Sequence, residues 1–153
     1  MNYEINYDTQ TILPIENYSS KIIENGSQYI VEKHPYKVIE HSCEYFGSSY
    51  EGRKAGTKKL LGITHKAPII IEETRRIIFF PTKSADREDC IWINLCQVNR
   101  YFSTSDRNSA IEFKNGDKLE FDISIGSLTN QIMRATRLKY VLEERIKVKE
   151  GIK

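Results

Sequence analysis

Residues 109–123 read SAIEFKNGDKLEFDI, and this stretch decides the fold class. Ile111 and Phe113 alternate with polar residues before Asn115-Gly116, and Leu119, Phe121 and Ile123 alternate after it. Period-two alternation is the pattern of strands with one face on a core. Asn-Gly supplies the positive φ angles of a tight hairpin turn. Upstream, Asn25-Gly26 repeats the signal between residues 21–24 and 28–32. Residues 3–17 carry Tyr3, Ile5, Tyr7, Ile12, Leu13 and Ile15 in loose alternation, and read as two short strands around Asp8-Thr9. Pro35 interrupts the run, and residues 36–40 resume it with β-branched side chains. Residues 60–64 and 69–71 read as further strands. Ile77-Ile78-Phe79-Phe80, stopped by Pro81, reads as a strand buried on both faces. Residues 90–101 are strand-like, with Trp92 as a core anchor; residues 82–89 and 103–108 are polar loops.

Downstream of the hairpin the period changes. Leu128, Ile132, Ala135, Leu138, Leu142 and Ile146 recur every three or four residues, one apolar stripe of a helix. Ser127 is its expected N-cap and Gly151 its end. The reading is an α+β fold: one predominantly antiparallel β-sheet domain over residues 1–153 with a C-terminal amphipathic helix. An acidic β subregion over residues 1–42 is a candidate subdivision. Residues 1–50 hold three Lys or Arg and seven Asp or Glu, leaving 20 of the 23 basic and 14 of the 21 acidic residues for the rest. Such asymmetry fits one end of a molecule facing an anion.

Composition narrows the class. With 39% hydrophobic and 29% charged residues, the chain reads as a soluble globular protein. No run approaches the roughly 20 apolar residues of a membrane helix, and MNYEINYDTQTILP lacks the basic and apolar regions of a secretory signal. A cytoplasmic location without membrane association is expected. Cys43, Cys90 and Cys96 are odd in number and lack CxxC spacing, so no disulfide framework is expected. His41, Cys43, Cys90 and Cys96 match no standard zinc spacing. No metal or cofactor is expected.

Residues 43–57, CEYFGSSYEGRKAGT, set three glycines among aromatic, hydroxyl and basic side chains. Glycines permit positive φ or close approach of the backbone to another molecule. Residues 53–71 contain Arg53, Lys54, Lys58, Lys59 and Lys66 and no acidic residue. A flexible cationic segment suits a polyanion; the alternative is a solvated surface loop. A short helix from Ser48 or Ser49 to Gly56 is also compatible, although Gly52 inside it costs about 1 kcal/mol against alanine. The run from Gly47 to Lys54 fails as a P-loop, because Arg53 replaces the lysine and no Ser or Thr follows. Nor is there a GxSxG elbow or an HExxH motif. No catalytic residues are expected, and the chain does not read as an enzyme.

These residues resemble the ComK family of bacterial competence transcription factors. The resemblance runs in order through CEYFGSSYEGRKAGT, Thr64-His65-Lys66, Pro68-Ile69, Ile78-Phe79-Phe80-Pro81-Thr82, Cys90-x-Trp92-Ile93, Phe113-x-Asn115-Gly116, and Ser127 to Arg134 with its Asn130-Gln131. It implies a sequence-specific DNA-binding activator of genes for DNA uptake. It further implies paired A/T-rich boxes, minor-groove binding, a nucleoid location and a homo-oligomer on DNA, with RNA polymerase and a proteolytic adaptor as further partners. The DNA contacts expected are Tyr50, Arg53, Lys54, Lys58, Lys59, His65 and Lys66, with Arg134 and Arg137 on the outer face of the helix. Arg53 is the expected groove contact and Lys58, Lys59 and Lys66 are expected phosphate contacts. Many relatives continue past the helix bearing Asn130-Gln131, which sets tail-dependent activation and proteolytic control apart from DNA binding. The rival reading is an interaction module that keeps the fold, has lost DNA binding and modulates a full-length relative.

Overall fold

A computed structural model describes residues 2–149 and 151. Among the described residues, nine strands and three helices form the α+β fold expected, mostly antiparallel, ending in a long helix. Strands β1 (Thr9–Ile15), β2 (Ser19–Glu24), β3 (Ser27–Val31), β4 (Ile69–Glu72), β5 (Ile77–Pro81) and β6 (Trp92–Asn94) make one sheet in the order β3-β2-β1-β6-β5-β4. Strands β7 (Val98–Ser103), β8 (Ser109–Phe113) and β9 (Lys118–Phe121) make a second. Helices α1 (Pro35–Tyr45) and α2 (Tyr50–Leu61) lie between β3 and β4, and α3 (Ile125–Lys149) closes the fold.

The β4–β5–β6 part of the large sheet is buried on both faces. Ile69, Ile71, Ile77, Phe79 and Trp92 join Ile12, Ile22, Val38, Ile39 and Tyr50 in one core cluster. Ile70, Ile78, Phe80 and Ile93 point the other way, into a cluster with Ile111, Phe113, Leu128, Ala135 and Leu138. Alternation along β4, β5 and β6 therefore feeds two cores, as a continuous apolar run requires. The expected α3 stripe faces protein: Leu128, Ala135 and Leu138 are fully buried.

Strands from both sides of residue 50 share this sheet, because β1 pairs with β6 (Thr11 opposite Ile93, Ile12 opposite Trp92). Thr11 Oγ1 donates to Trp92 O at 2.9 Å and Asn94 Nδ2 to Thr9 O at 2.8 Å, locking the seam.

Several local expectations are corrected. Residues 36–40 are helical: Pro35 takes the first position of α1, where a missing N–H costs nothing. His34 caps that helix, its Nδ1 accepting from Tyr36 N. Val38, Ile39, Ser42 and Cys43 form its buried stripe. Residues 60–64 are not a strand; Leu60 and Leu61 finish α2, and Gly62 at φ 74° caps it. The first hairpin turns at Asn17 and Tyr18, not at Asp8-Thr9. Both have positive φ, as a type I′ turn requires. Residues 90–101 are split by a 3-10 turn, Leu95–Gln97, that carries the chain from β6 in one sheet to β7 in the other. Helix α3 begins before Ser127: Ser124 Oγ accepts from Ser127 N, the geometry of an N-cap.

Candidate nucleic-acid interface

The glycine-bearing stretch is ordered as helix rather than loop. Ser49 caps α2 by accepting from Gly52 N at 2.9 Å. Glu51 in the first turn and Lys58 and Lys59 in the last complement the helix dipole. Tyr50 and Thr57 bury the inner side, and Thr57 Oγ1 donates to Pro68 O at 2.7 Å, fixing the helix to the approach to β4. Gly52 and Gly56 are within the helix; only Gly47, before it, has positive φ in this stretch. A Cβ at Gly56 would meet nothing within 4 Å, and at Gly52 only the hydroxyls of Ser49 and Ser48. A Cβ at Gly52 would crowd the capping Ser49 hydroxyl at 3.0 Å, whereas packing within the protein gives no reason for Gly56, although each costs the helix about 1 kcal/mol.

Two expected contacts change character. Tyr50 is 6% exposed, edge-on to Tyr36 and Trp92, and burial pushes its phenol up. It packs as a core residue, with only its margin reaching the hollow beside Lys54 and His65. Arg53 does not project from a flexible loop. Its Nη1 pairs with Glu73 Oε1 at 2.6 Å beside the β4–β5 turn, and its side chain is 17% exposed. Its Nε is buried without an acceptor.

The remaining cations are arranged around one rigid loop. Lys54 and Lys58, one helical turn apart, share a flank of α2 and line a hollow with Thr64. Lys59 is exposed further round the helix. His65 and Lys66 follow in the loop between α2 and β4, and Lys66 holds φ 50°. A left-handed conformation costs a non-glycine residue about 1–2 kcal/mol, and α3 supplies what maintains it. Gln131, fully buried, donates from Nε2 to Lys66 O at 2.9 Å and to Pro81 O at 2.8 Å. Arg134 donates from Nη1 to His65 O at 2.9 Å. Arg137 points elsewhere and is exposed. Neither arginine pairs with Glu143 or Glu144 among the described residues: Glu143 meets Arg76, and Glu144 meets Lys147.

A cleft lies on each side of this loop. The first is bounded by Lys54, Tyr36, Glu51 and Asp86, the second by Lys83, Arg87, Ser127 and Arg134; His65, Lys66 and Ser84 border both. The result is a basic row from Lys58 and Lys54 across His65 and Lys66 to Arg134, with Lys83 and Arg87 on the far wall. Glu51 and Asp86 are its acidic margin.

Lys83, Arg87 and Gln131 are the residues that sequence reasoning did not place here. The signal for Gln131 was its presence in a recognisable fragment; for Lys83 and Arg87 it was two cations in a loop read only as polar. Among the described residues no three of His, Cys, Asp or Glu stand together as a metal site. No helix among them is long and apolar enough to cross a membrane.

The family model described as ComK protein matches residues 1–147. The chain belongs to the ComK family. A relative, the competence transcription factor of Bacillus subtilis (strain 168), is 38% identical over 148 residues, covering 95% of this chain and 77% of that protein. No solved structure gives a significant match. ComK membership extends over the N-terminal strands, which lie outside the sequence fragments that carried the resemblance.

Proposed function

We propose that this chain is a competence transcription regulator that binds A/T-rich duplex DNA through the basic row around residues 62–68. The observation that carries this reading is the pinning of the loop at the centre of that row. Gln131 and Arg134 hold the carbonyls of Lys66 and His65, so the loop backbone between Lys54 and Lys58 on one side and Arg134 on the other needs no ordering at binding, and only side-chain freedom is lost. Contacts of this kind to phosphates position a protein on DNA.

The open glycine face of α2 supports a close approach to DNA, with Lys59 beside it. Narrow minor grooves of A/T-rich tracts attract inserted basic side chains. Arg53 joins the groove contact once DNA displaces Glu73 from it. Several copies act together on paired boxes, as the family resemblance implies.

The test is filter binding of A/T-rich and G/C-rich duplexes over a salt series. Binding that weakens steeply with salt and favours the A/T-rich duplex is expected. Lys54→Ala with Lys58→Ala should flatten the slope of log affinity against log salt by nearly two units, about 0.9 for each lost phosphate contact. Absence of DNA binding at low salt would refute this reading and favour the interaction module instead. The observation favouring that alternative is the outer side of α3, where Met133 and Tyr140 are each more than 60% exposed.

A further inference from the structure

We infer that the cleft walled by Lys66, Lys83, Arg87 and Arg134 is a phosphate site, distinct from the helix α2 flank of the same face. It is an open hollow of about 490 Å³, wide enough for a phosphate lying at the surface, and hydroxyls of Thr82, Ser84 and Ser127 border it beside the cations. Several cations with hydroxyl donors between them form a donor set suited to a tetrahedral oxyanion.

The charge balance favours an anion. Lys83 and Arg87 converge on Asp89, at 2.7 and 2.9 Å, and together hold its carboxyl well below the usual range. Asp122 stands 4.0 Å from Lys83 and is 87% exposed, a weak and screened partner. The Lys83–Arg87–Asp89 group therefore keeps about one net positive charge. Lys66 and Arg134 add two more, because their backbone anchoring leaves both side-chain charges intact.

The site is also preformed. Gln131 bridges the two walls by donating to Lys66 O on one and Pro81 O on the other. No rearrangement of the loop is needed to admit a phosphate. That phosphate belongs either to a DNA strand lying over the basic row or to a free phosphate compound. The first source rests on the DNA-binding reading above, and the second does not.

The experiment follows the His65 side-chain NMR resonances during titration with inorganic phosphate, ATP and a short A/T-rich duplex, at constant ionic strength set with chloride. Saturable shifts with phosphate or ATP are expected in the wild type. They should vanish in Lys83→Gln/Arg87→Gln and persist in Lys54→Gln/Lys58→Gln. Retention of the shifts in Lys83→Arg/Arg87→Lys shows that charge, not fold, was removed. If the source is DNA, duplex displaces ATP, and Lys83→Gln/Arg87→Gln flattens the DNA salt slope by about one to two units, since two cations are removed and Asp89 is left uncompensated. If ATP binds and duplex neither competes nor depends on these residues, the site serves a free phosphate compound. A protein that fails to bind duplex yet keeps the phosphate shifts refutes the DNA reading alone. No saturable shift with phosphate or ATP, or shifts that survive Lys83→Gln/Arg87→Gln, overturns the site.

Discussion

Gln131→Met separates the architecture of the basic row from its charge. Methionine keeps the length and nearly the volume of glutamine, so the cavity term is small. What disappears is the Nε2 donor that serves Lys66 O and Pro81 O. Each lost hydrogen bond removes about 1 kcal/mol net, and an orphaned buried acceptor adds a penalty of about 1–3 kcal/mol. Against this, Gln131 Oε1 is buried with no partner, so the apolar replacement relieves a penalty of roughly 1 kcal/mol. The balance is a loss of about 2–4 kcal/mol. For a domain near 150 residues, this lowers Tm by at least about 4–8 °C. Functionally, Lys66 is released from its left-handed conformation, and the loop must be ordered again when DNA binds. An affinity loss of about tenfold corresponds to the 1–2 kcal/mol of that conformational cost. The salt slope should not move, because no charge has been removed. Thermal unfolding followed by circular dichroism and a salt series with duplex DNA test both halves. A Tm within about 1 °C of wild type, or an affinity loss accompanied by a slope change of a full unit, refutes the reasoning.

Leu138→Ala should cost about 2–5 kcal/mol in urea unfolding, since the side chain is fully buried between α3 and the second core; an effect below about 1 kcal/mol would place α3 off the sheet. Glu73→Gln should raise affinity for A/T-rich duplex by up to about fivefold, because it releases Arg53 from a half-exposed ion pair worth at most about 1 kcal/mol. Arg53→Ala should cancel that gain, and equal effects on all sequences would remove Arg53 from the groove. Burial pushes the Cys43 thiol up to about 12 and that of Cys90 to about 11, from an ordinary value near 9.0. A folded pKa above the unfolded one gives stability that is complete below pH 9 and is lost as pH rises toward 11–12, by up to about 1.4 kcal/mol per pH unit for each thiol. Urea midpoints measured from pH 8 to 11 should fall above pH 9, and the fall should be shallower in Cys90→Ala.

Elements with a local signature were legible in the sequence. The Asn25-Gly26 and Asn115-Gly116 hairpins, the doubly buried β5 and the stripe of α3 each carry their own turn or period. Elements set by context were not. Pro35 is equally a strand breaker and a first helical residue, and only the placement of Val38, Ile39 and Cys43 against the sheet decides between them. Asn17-Tyr18 adopts positive φ without a glycine, so no turn signal precedes it. Helix α2 forms despite Gly52 and Gly56 because its caps and the buried Tyr50 and Thr57 outweigh propensity. The site divided in the same way. Lys54, Lys58, His65 and Lys66 come from one contiguous basic run and were visible. The pairing of Arg53 was not, because Glu73 is 20 residues away in sequence. Lys83 and Arg87 reach the loop only through the β4–β5 hairpin and the polar segment between β5 and β6.

The seam between β1 and β6 bears on how the chain reaches its native state. Its side-chain hydrogen bonds join residues 81 to 90 positions apart, including Gln97 Nε2 to Tyr7 O at 2.7 Å. The β1–β2–β3 meander can form early, being built of neighbouring hairpins, but Ile12, opposite Ile22 on one side, lacks its partner on the other until Trp92 arrives. Closing so long a loop must precede any reward from the contacts it brings, which places folding in the slow, millisecond-to-second regime of non-local topologies. Until then the unzipped edge of β1 is an exposed template for another strand. Newly made chains at high concentration thus have a window for mispairing that closes only when the acidic and basic parts of the sequence are joined.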